Sequence, residues 1–381
     1  MKHVDIVIIT CFASNEPRAK CIQKYFENYG KTVLIISTDF IHRGKYYRKD
    51  LPEKILLVKT KAYKKNLSFM RLFSHLDFSR KALSFASIYS PELVYVMVPA
   101  NSLAFFAARF KKKYSIPFII DIVDLWPESL PCGKIKNWGP FLLWKQLRDQ
   151  NLKYADLIIT ECDLYQKKLN LCSKNFPYQT VYWAQENETK YKYQFVEKDT
   201  QDVIQFFYLG SINNIIDMDG IIRFLNEIKK CRKIIIHIVG DGEKRHELLQ
   251  FLASSNIPYN FYGYIYDAEK ISRIAAKCHW GINMMKSTVE VGLTMKSVSY
   301  FQLGLPIINN IKGDTWNLIK EYDAGINIVE NQNIFEAMSE KNINDLSKHA
   351  YSLFENLFSK EAFERQLSLA LSLMDFQYQS P

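Results

Sequence analysis

Residues 121–131 read DIVDLWPESLP and follow directly on an apolar run at 116–122. Reversing a chain takes one proline and a small polar residue. This turn holds two aspartates, a tryptophan, two prolines and a glutamate, a surplus that points to ligand chemistry. A carboxylate at such a place can orient a hydroxyl and accept or relay its proton. Trp126 offers a flat apolar face with one N–H donor, the kind of surface on which a sugar ring stacks. Asp124 is the first candidate for orienting a hydroxyl-bearing ligand, with Glu128 and Asp121 as alternates. The structural alternative stays open: either aspartate could cap the next turn, and Trp126 could plug the domain surface.

A second stretch, EVGLTMK at 290–296, has different chemistry. Glu290 to Leu293 reads as a loop and Thr294 as the N-cap of a helix. A helix start carries unpaired N–H groups and the positive end of the helix dipole. Gly292 would let backbone approach a ligand closely, and Lys296 and Lys286 add positive charge. Amides plus lysine form a site for a diphosphate and for the charge left when a nucleotide departs; an ordinary capped helix with solvated lysines is the alternative. No Ser/His/Asp set stands out. Asp217–Met218–Asp219 matches the letters of a metal-binding D-x-D but sits at a helix start and reads as a cap. Seven cysteines show no C-x-x-C pair and no zinc-ligand spacing; Cys11, Cys21, Cys231 and Cys278 read as packing residues, and reduced thiols suit a cytosol.

These residues need elements to hold them. Apolar strand-like runs alternate with helical patterns along the chain, from VDIVIIT and a helix over about 16–30 to helices near 102–114 and 140–154. Near-continuous apolar strands separated by helices imply a parallel sheet covered on both faces. The alternation breaks at 184–202, a polar unpatterned linker, and restarts with VIQFFYLG and KIIIHIVGDG. Helices follow over about 218–230, 243–254, 267–277 and 294–303, with amphipathic helix over 346–376. A chain of 381 residues is long for one core. The expectation is therefore two doubly wound α/β domains, 1–195 and 196–359, with about 360–381 returning to the first. Ligands in such sheets sit beyond the C-terminal strand ends, which places 121–131 on the side of a cleft.

The segment GINMMKSTVEVGLTMKSVSYFQLGLPIINN, with Lys296, Gly304 and Pro306, resembles the donor segment of retaining glycosyltransferase family 4 of GT-B fold. DLWPE at 124–128 resembles a motif of that family's bacterial surface-polysaccharide branch, and YLGSI and IVGDGEKRHEL are similar to parts of its second domain. The resemblance spans nearly the whole chain. It implies GT-B architecture, a nucleotide sugar as donor and a retaining front-face reaction without metal or other cofactor. It implies donor contacts from Gly210, Ser211, Gly240, Tyr264, Lys286, Glu290, Gly292, Leu293, Thr294 and Ser299, with Lys296 and Asp124 catalytic. Acceptor contacts would fall to Asn15, Arg18, Asp121, Trp126 and Glu128. The chain departs from the family pattern at Val123, at Ser299 where a ribose-binding glutamate is usual, and after Gly210, where an Arg/Lys clamp is missing. Ser299 or Glu290 would then meet the ribose, and Asn15 and Arg18 would replace a glycine-rich first loop. A degenerate GT-B accessory subunit is the alternative function.

Charge adds a partner. The net charge of +10 is uneven: residues 1–195 hold 31 Lys and Arg against 17 Asp and Glu, and the remainder 19 against 23. The stretch from Leu67 to Phe85, with Met70, Phe73 and Phe78 among Arg71, Arg80 and Lys81, and the cluster RFKKKY at 109–114, suit an anionic membrane surface. No apolar run reaches a membrane span and no nucleic-acid motif appears. The expectation is a cytoplasmic protein, peripheral on the inner face of the plasma membrane, with a lipid-linked glycan as acceptor.

Overall fold

The structure is a computed structural model describing residues 3–42, 44–49, 52–130, 138–184, 193, 195–199, 202–329 and 333–374. The end of the DIVDLWPESLP stretch, Pro131, and much of the expected linker (185–192, 194, 200 and 201) lie outside the described residues. Two compact units are present, Met1–Ala184 with Phe363–Pro381, and Gln185–Ala362.

The first unit is a seven-stranded parallel sheet. Its elements are β1 (Ile6–Thr10), α1 (Glu16–Asn28), β2 (Val33–Thr38), β3 (Phe40–Ile41), β4 (Tyr46–Tyr47), β5 (Ile55–Val58), α2 (Phe69–Ala86), β6 (Leu93–Val98), α3 (Ser102–Tyr114), β7 (Phe118–Ile122), α4 (Gly139–Asp149), β8 (Leu157–Thr160), α5 (Asp163–Leu169) and β9 (Tyr178–Thr180). The order is β5-β2-β1-β6-β7-β8-β9, while β3 and β4 pair as a small antiparallel hairpin. Strands β1, β6 and β7 are buried throughout, because helices cover both faces, and so they read as unbroken apolar runs. Gly30 ends α1 with φ +72°, a left-handed stop that glycine adopts without strain.

The second unit holds β10 (Val203–Leu209), α6 (Met218–Cys231), β11 (Lys233–Val239), α7 (Arg245–Ser254), β12 (Tyr259–Gly263), α8 (Ala268–Ala276), β13 (Trp280–Asn283), α9 (Met295–Gln302), β14 (Ile307–Asn309), α10 (Asp314–Tyr322), β15 (Gly325–Asn327), α11 (Ile334–Ser339) and α12 (Ile343–Leu357). Six parallel strands run β12-β11-β10-β13-β14-β15. The described linker residues dock on this unit: Tyr193 stacks on Tyr351 at 4.3 Å, and Lys198 N donates to Asn344 Oδ1 at 2.9 Å. The last helix, α13 (Lys360–Leu371), brings Phe363, Leu367 and Leu371 into the core of the first unit beside Ile6, Ala19 and Phe26.

The doubly wound α/β fold class expected from the pattern is the one found. Three local readings are corrected. Phe78, grouped with a membrane-facing set, is fully buried in α2, because its spacing places it on the face with His75, Ala82 and Ala86. Arg71 of the same set is buried too. Cys231 is exposed and Cys21 half-exposed, while Cys11 and Cys278 are buried as expected.

Candidate functional site

In the second unit the strand order reverses between β10 and β13, the place where doubly wound sheets bind ligands. Glycines let the chain turn there. Gly210 has φ +113° and Gly240 φ +140°, and a Cβ on Gly240 would lie 2.0 Å from the Gly210 carbonyl oxygen. The loops after β10 and β11 therefore interlock: Gly210 N donates to Val239 O at 2.8 Å and Ile212 N to Asp241 O at 3.0 Å.

Helix α9 starts beside this turn. Thr294 caps it as expected, its Oγ1 accepting from Ser297 N at 3.0 Å. Helix geometry leaves the amides of Met295 and Lys296 without an intrahelical acceptor. The cap is braced by a row of asparagines that end β13, β14 and β15 in register. Asn283 Nδ2 donates to Ser297 Oγ at 3.1 Å and to Asn309 Oδ1 at 2.9 Å, and Asn309 Nδ2 donates to Asn327 Oδ1 at 2.8 Å. Tyr300 fixes the helix from below, its hydroxyl accepting from Leu209 N at 2.9 Å and donating to Ile282 O at 3.0 Å. The Gly292 carbonyl is clamped by Thr315, whose N and Oγ1 both reach it at 2.8 Å.

Lys296 turns back from α9 over β10. Its Nζ sits 3.9 Å from the centre of the Tyr208 ring, and its Cε packs 3.5 Å from where a Gly210 side chain would begin. No carboxylate pairs with it among the described residues, and burial alone pushes its pKa down to about 7. Lys296 thus stands without a carboxylate partner beside a helix start and a glycine turn. The other donor candidates differ in exposure. Leu293 is buried, Ser299 is 8 % exposed one turn after Lys296, and Glu290 is half-buried ahead of the cap. Lys286 is exposed, with its N–H bonded to Ile215 O at 2.9 Å. Ser211 is exposed, its carbonyl accepting from the Tyr208 hydroxyl at 2.8 Å. Tyr264 is exposed, its hydroxyl 3.4 Å from Asp241 O. Asp217 accepts from Gly220 N at 2.9 Å, the cap expected of it.

In the first unit several of the surplus polar residues at the end of β7 and after it hold partners. Arg18 and Asp121 form a fully buried ion pair, Nε to Oδ2 at 2.7 Å and Nη2 to Oδ1 at 3.1 Å, with Tyr95 Oη donating to the same carboxylate at 2.8 Å. The pairing spans 103 residues, so local spacing could not reveal it. Glu128 is a forked partner of Arg148, at 2.7 and 3.2 Å, and Arg148 also holds the Trp126 carbonyl at 2.8 Å. Asn101 Nδ2 donates to that same carbonyl at 2.9 Å. Arg18, Asp121 and Glu128, expected as acceptor contacts, each hold a charged partner within the first unit. Asn15 is buried at the start of α1, its side chain bonded to Ser14 Oγ. Asp124 is half-buried, accepts from Ser129 Oγ, and burial raises its pKa above the usual carboxylate range. Trp126 stays half-exposed among Phe12, His42 and Trp144.

Among the described residues one further carboxylate–histidine group, His3, Asp5 and Glu92, could hold a metal ion. It precedes β1 and β6, at the N-terminal ends of these central strands, and Asp5 and Glu92 are bonded to Thr32 and Lys31. No described helix is long and apolar enough to cross a membrane.

No protein-family model matches the chain, and no curated protein is a significant sequence match. Solved structures do match in fold. Sucrose-phosphate synthase of Thermosynechococcus elongatus aligns with a TM-score of 0.68 at 11 % identity, over 97 % of this chain and 98 % of that one. HepE of Anabaena in complex with UDP aligns at 0.69 and 12 %, over 97 % and 99 %. The lipopolysaccharide outer core galactosyltransferase WaaB aligns at 0.65 and 13 %, over 97 % and 99 %. The chain has the GT-B fold, matched over 97 % of its length.

Proposed function

We propose that this protein is a glycosyltransferase that moves a sugar from a nucleotide-sugar donor to a lipid-linked saccharide in surface-polysaccharide synthesis. The carrying observation is Lys296, uncompensated and desolvated, beside the Gly210 turn and the amides of α9. In this reading the diphosphate of the donor lies against those amides and restores charge to Lys296, which then balances the negative charge that develops on the departing nucleotide. The reaction retains configuration at the sugar. The bond from the anomeric carbon to the diphosphate oxygen breaks, the acceptor oxygen attacks on the same face, and the leaving diphosphate takes the acceptor proton. Neither a protein nucleophile nor a metal is needed, since lysine and amides supply the positive field. Asp124, with its raised pKa, orients the acceptor or the transferred sugar by hydrogen bonding beside Trp126.

Support comes from fold neighbours in complex with UDP and with UDP-glucose. The basic first unit suits an anionic membrane surface on the inner leaflet. A GT-B accessory subunit without turnover is the second reading, favoured by the structural use of Arg18, Asp121 and Glu128. Thermal unfolding with a panel of nucleotides tests the donor site. A nucleoside diphosphate at 100 times its Kd stabilises by about 2.7 kcal/mol, hence roughly 5–10 °C for a unit of this size. That shift should vanish in Lys296→Ala; an equal shift in that variant, or none with any nucleotide, rejects the site.

A further inference from the structure

The first unit contains a buried cation with no ion-pair partner among the described residues. Arg71, in the first turn of α2, is 2 % exposed. Its Nη1 donates to Asn66 O at 2.8 Å, but Nε and Nη2 are buried without a hydrogen bond of normal geometry. No carboxylate forms an ion pair with it among the described residues. Aromatic rings enclose it instead: Trp126 at 4.1 Å, Tyr63 and Trp144 at 5.9 Å, Phe12 at 6.0 Å. Among its titratable neighbours the Asp124 carboxylate acts on it at a distance, without forming an ion pair. His75 is buried with neither ring nitrogen bonded, and burial plus the positive charge of Arg71 keep it neutral. Cation–π contacts offset only part of the cost of taking a guanidinium out of water.

A cavity of about 230 Å³ adjoins this cation, and Arg71, Phe69, Leu72, Trp138, Phe141 and Trp144 line it. Its rim stays apolar where it meets solvent: Phe69 and Trp138 are 68 % and 60 % exposed. A free phosphate would have no use for such walls. Whole small-molecule sites run to roughly 300–1,000 Å³, so this volume suits one headgroup and the start of one chain rather than a two-chain lipid.

We propose that the pocket formed by α2 and α4 binds the head of a single-chain prenyl phosphate or diphosphate. The phosphate lies on the pocket side of the Arg71 guanidinium, and the first carbons of the chain lie along Phe69, Trp138 and Phe141. The proposal deepens, and rests on, the lipid-linked acceptor reading, for which it supplies a carrier site.

The test uses the full chain without any nucleotide sugar, so its outcome is separate from that of the donor site. Farnesyl phosphate, farnesol, inorganic phosphate and phosphatidylglycerol vesicles are titrated against the protein, followed by tryptophan fluorescence and calorimetry. Farnesyl phosphate should saturate at one per chain and bind at least tenfold more tightly than farnesol or inorganic phosphate. Arg71→Met should lose at least tenfold for farnesyl phosphate and nothing for vesicles. Trp138→Asp, at an exposed position, should weaken the same ligand at least fivefold and covers the case in which Arg71→Met does not fold. Farnesol binding as well as farnesyl phosphate, or both variants retaining wild-type affinity, overturns the proposal. So does an equal loss of vesicle binding in Arg71→Met, which would make the face a membrane contact rather than a single-chain pocket.

Discussion

If Lys296 is held near neutrality by burial, nucleotide binding must take up a proton. In the free protein its pKa is about 7; a bound diphosphate, by supplying the missing counter-charge, should return it toward the ordinary lysine range near 10.4. The sign follows from linkage. Below pH 7 the lysine is charged in both states and affinity is flat. Above it, binding must first protonate the lysine, so affinity falls as pH rises toward the pKa of the complex. From pH 7 to pH 9 the charged fraction in the free protein drops from about one half to about one hundredth, so the affinity should fall roughly fiftyfold, or about 2.3 kcal/mol. The terminal phosphate of the nucleotide titrates near pH 6 and stays ionised across this window. The assay is calorimetric titration of UDP at half-unit steps from pH 7 to 9.5, repeated in buffers of different ionisation enthalpy to count protons. Lys296→Met should bind weakly at pH 7, show no pH dependence, and converge on wild type by pH 9.5. A flat wild-type profile, or a constant ratio between wild type and variant, would refute the idea that Lys296 meets the diphosphate.

Arg18→Met leaves Asp121 buried with only Tyr95 for company and should cost about 3–5 kcal/mol in urea unfolding; adding Asp121→Asn should recover most of it, and a single-variant loss under about 1 kcal/mol would contradict the pairing. Arg148→Ala should free the 124–130 loop, seen as faster proteolysis there and at least tenfold lower transfer, with nucleotide affinity unchanged. Gly240→Ala drives a Cβ to 2.0 Å from the Gly210 carbonyl and should lower the melting temperature of the second unit and abolish nucleotide binding together. Tyr300→Phe removes the acceptor of the buried Leu209 N–H, an expected loss of about 1–3 kcal/mol measured by denaturant unfolding.

The fold was legible because its signals are local. Buried parallel strands write themselves as apolar runs, and glycine and threonine mark turns and caps; α3 has the bounds its pattern suggested, and Thr294 caps α9. The site was legible only in part. Lys296 could be singled out beside a helix start, but not its fold over Tyr208, since β10 lies far off in sequence. Distance along the chain likewise hid the pairing of Arg18 with Asp121 and of Arg148 with Glu128. Arg71 was visible as one basic residue among many; its enclosure draws on rings from four separate segments. The missed asparagine row did leave a trace, since WGIN, PIIN and GIN all end on asparagine.

The most direct measurement is nucleotide release from UDP-sugars by the purified protein, with and without a prenyl-diphosphate-linked saccharide. UDP should appear in step with a glycosylated lipid product, depend on that acceptor, and fall at least a hundredfold in folded Lys296→Ala. Tight UDP binding with no release under any acceptor, or release undiminished by the variant, would contradict the account.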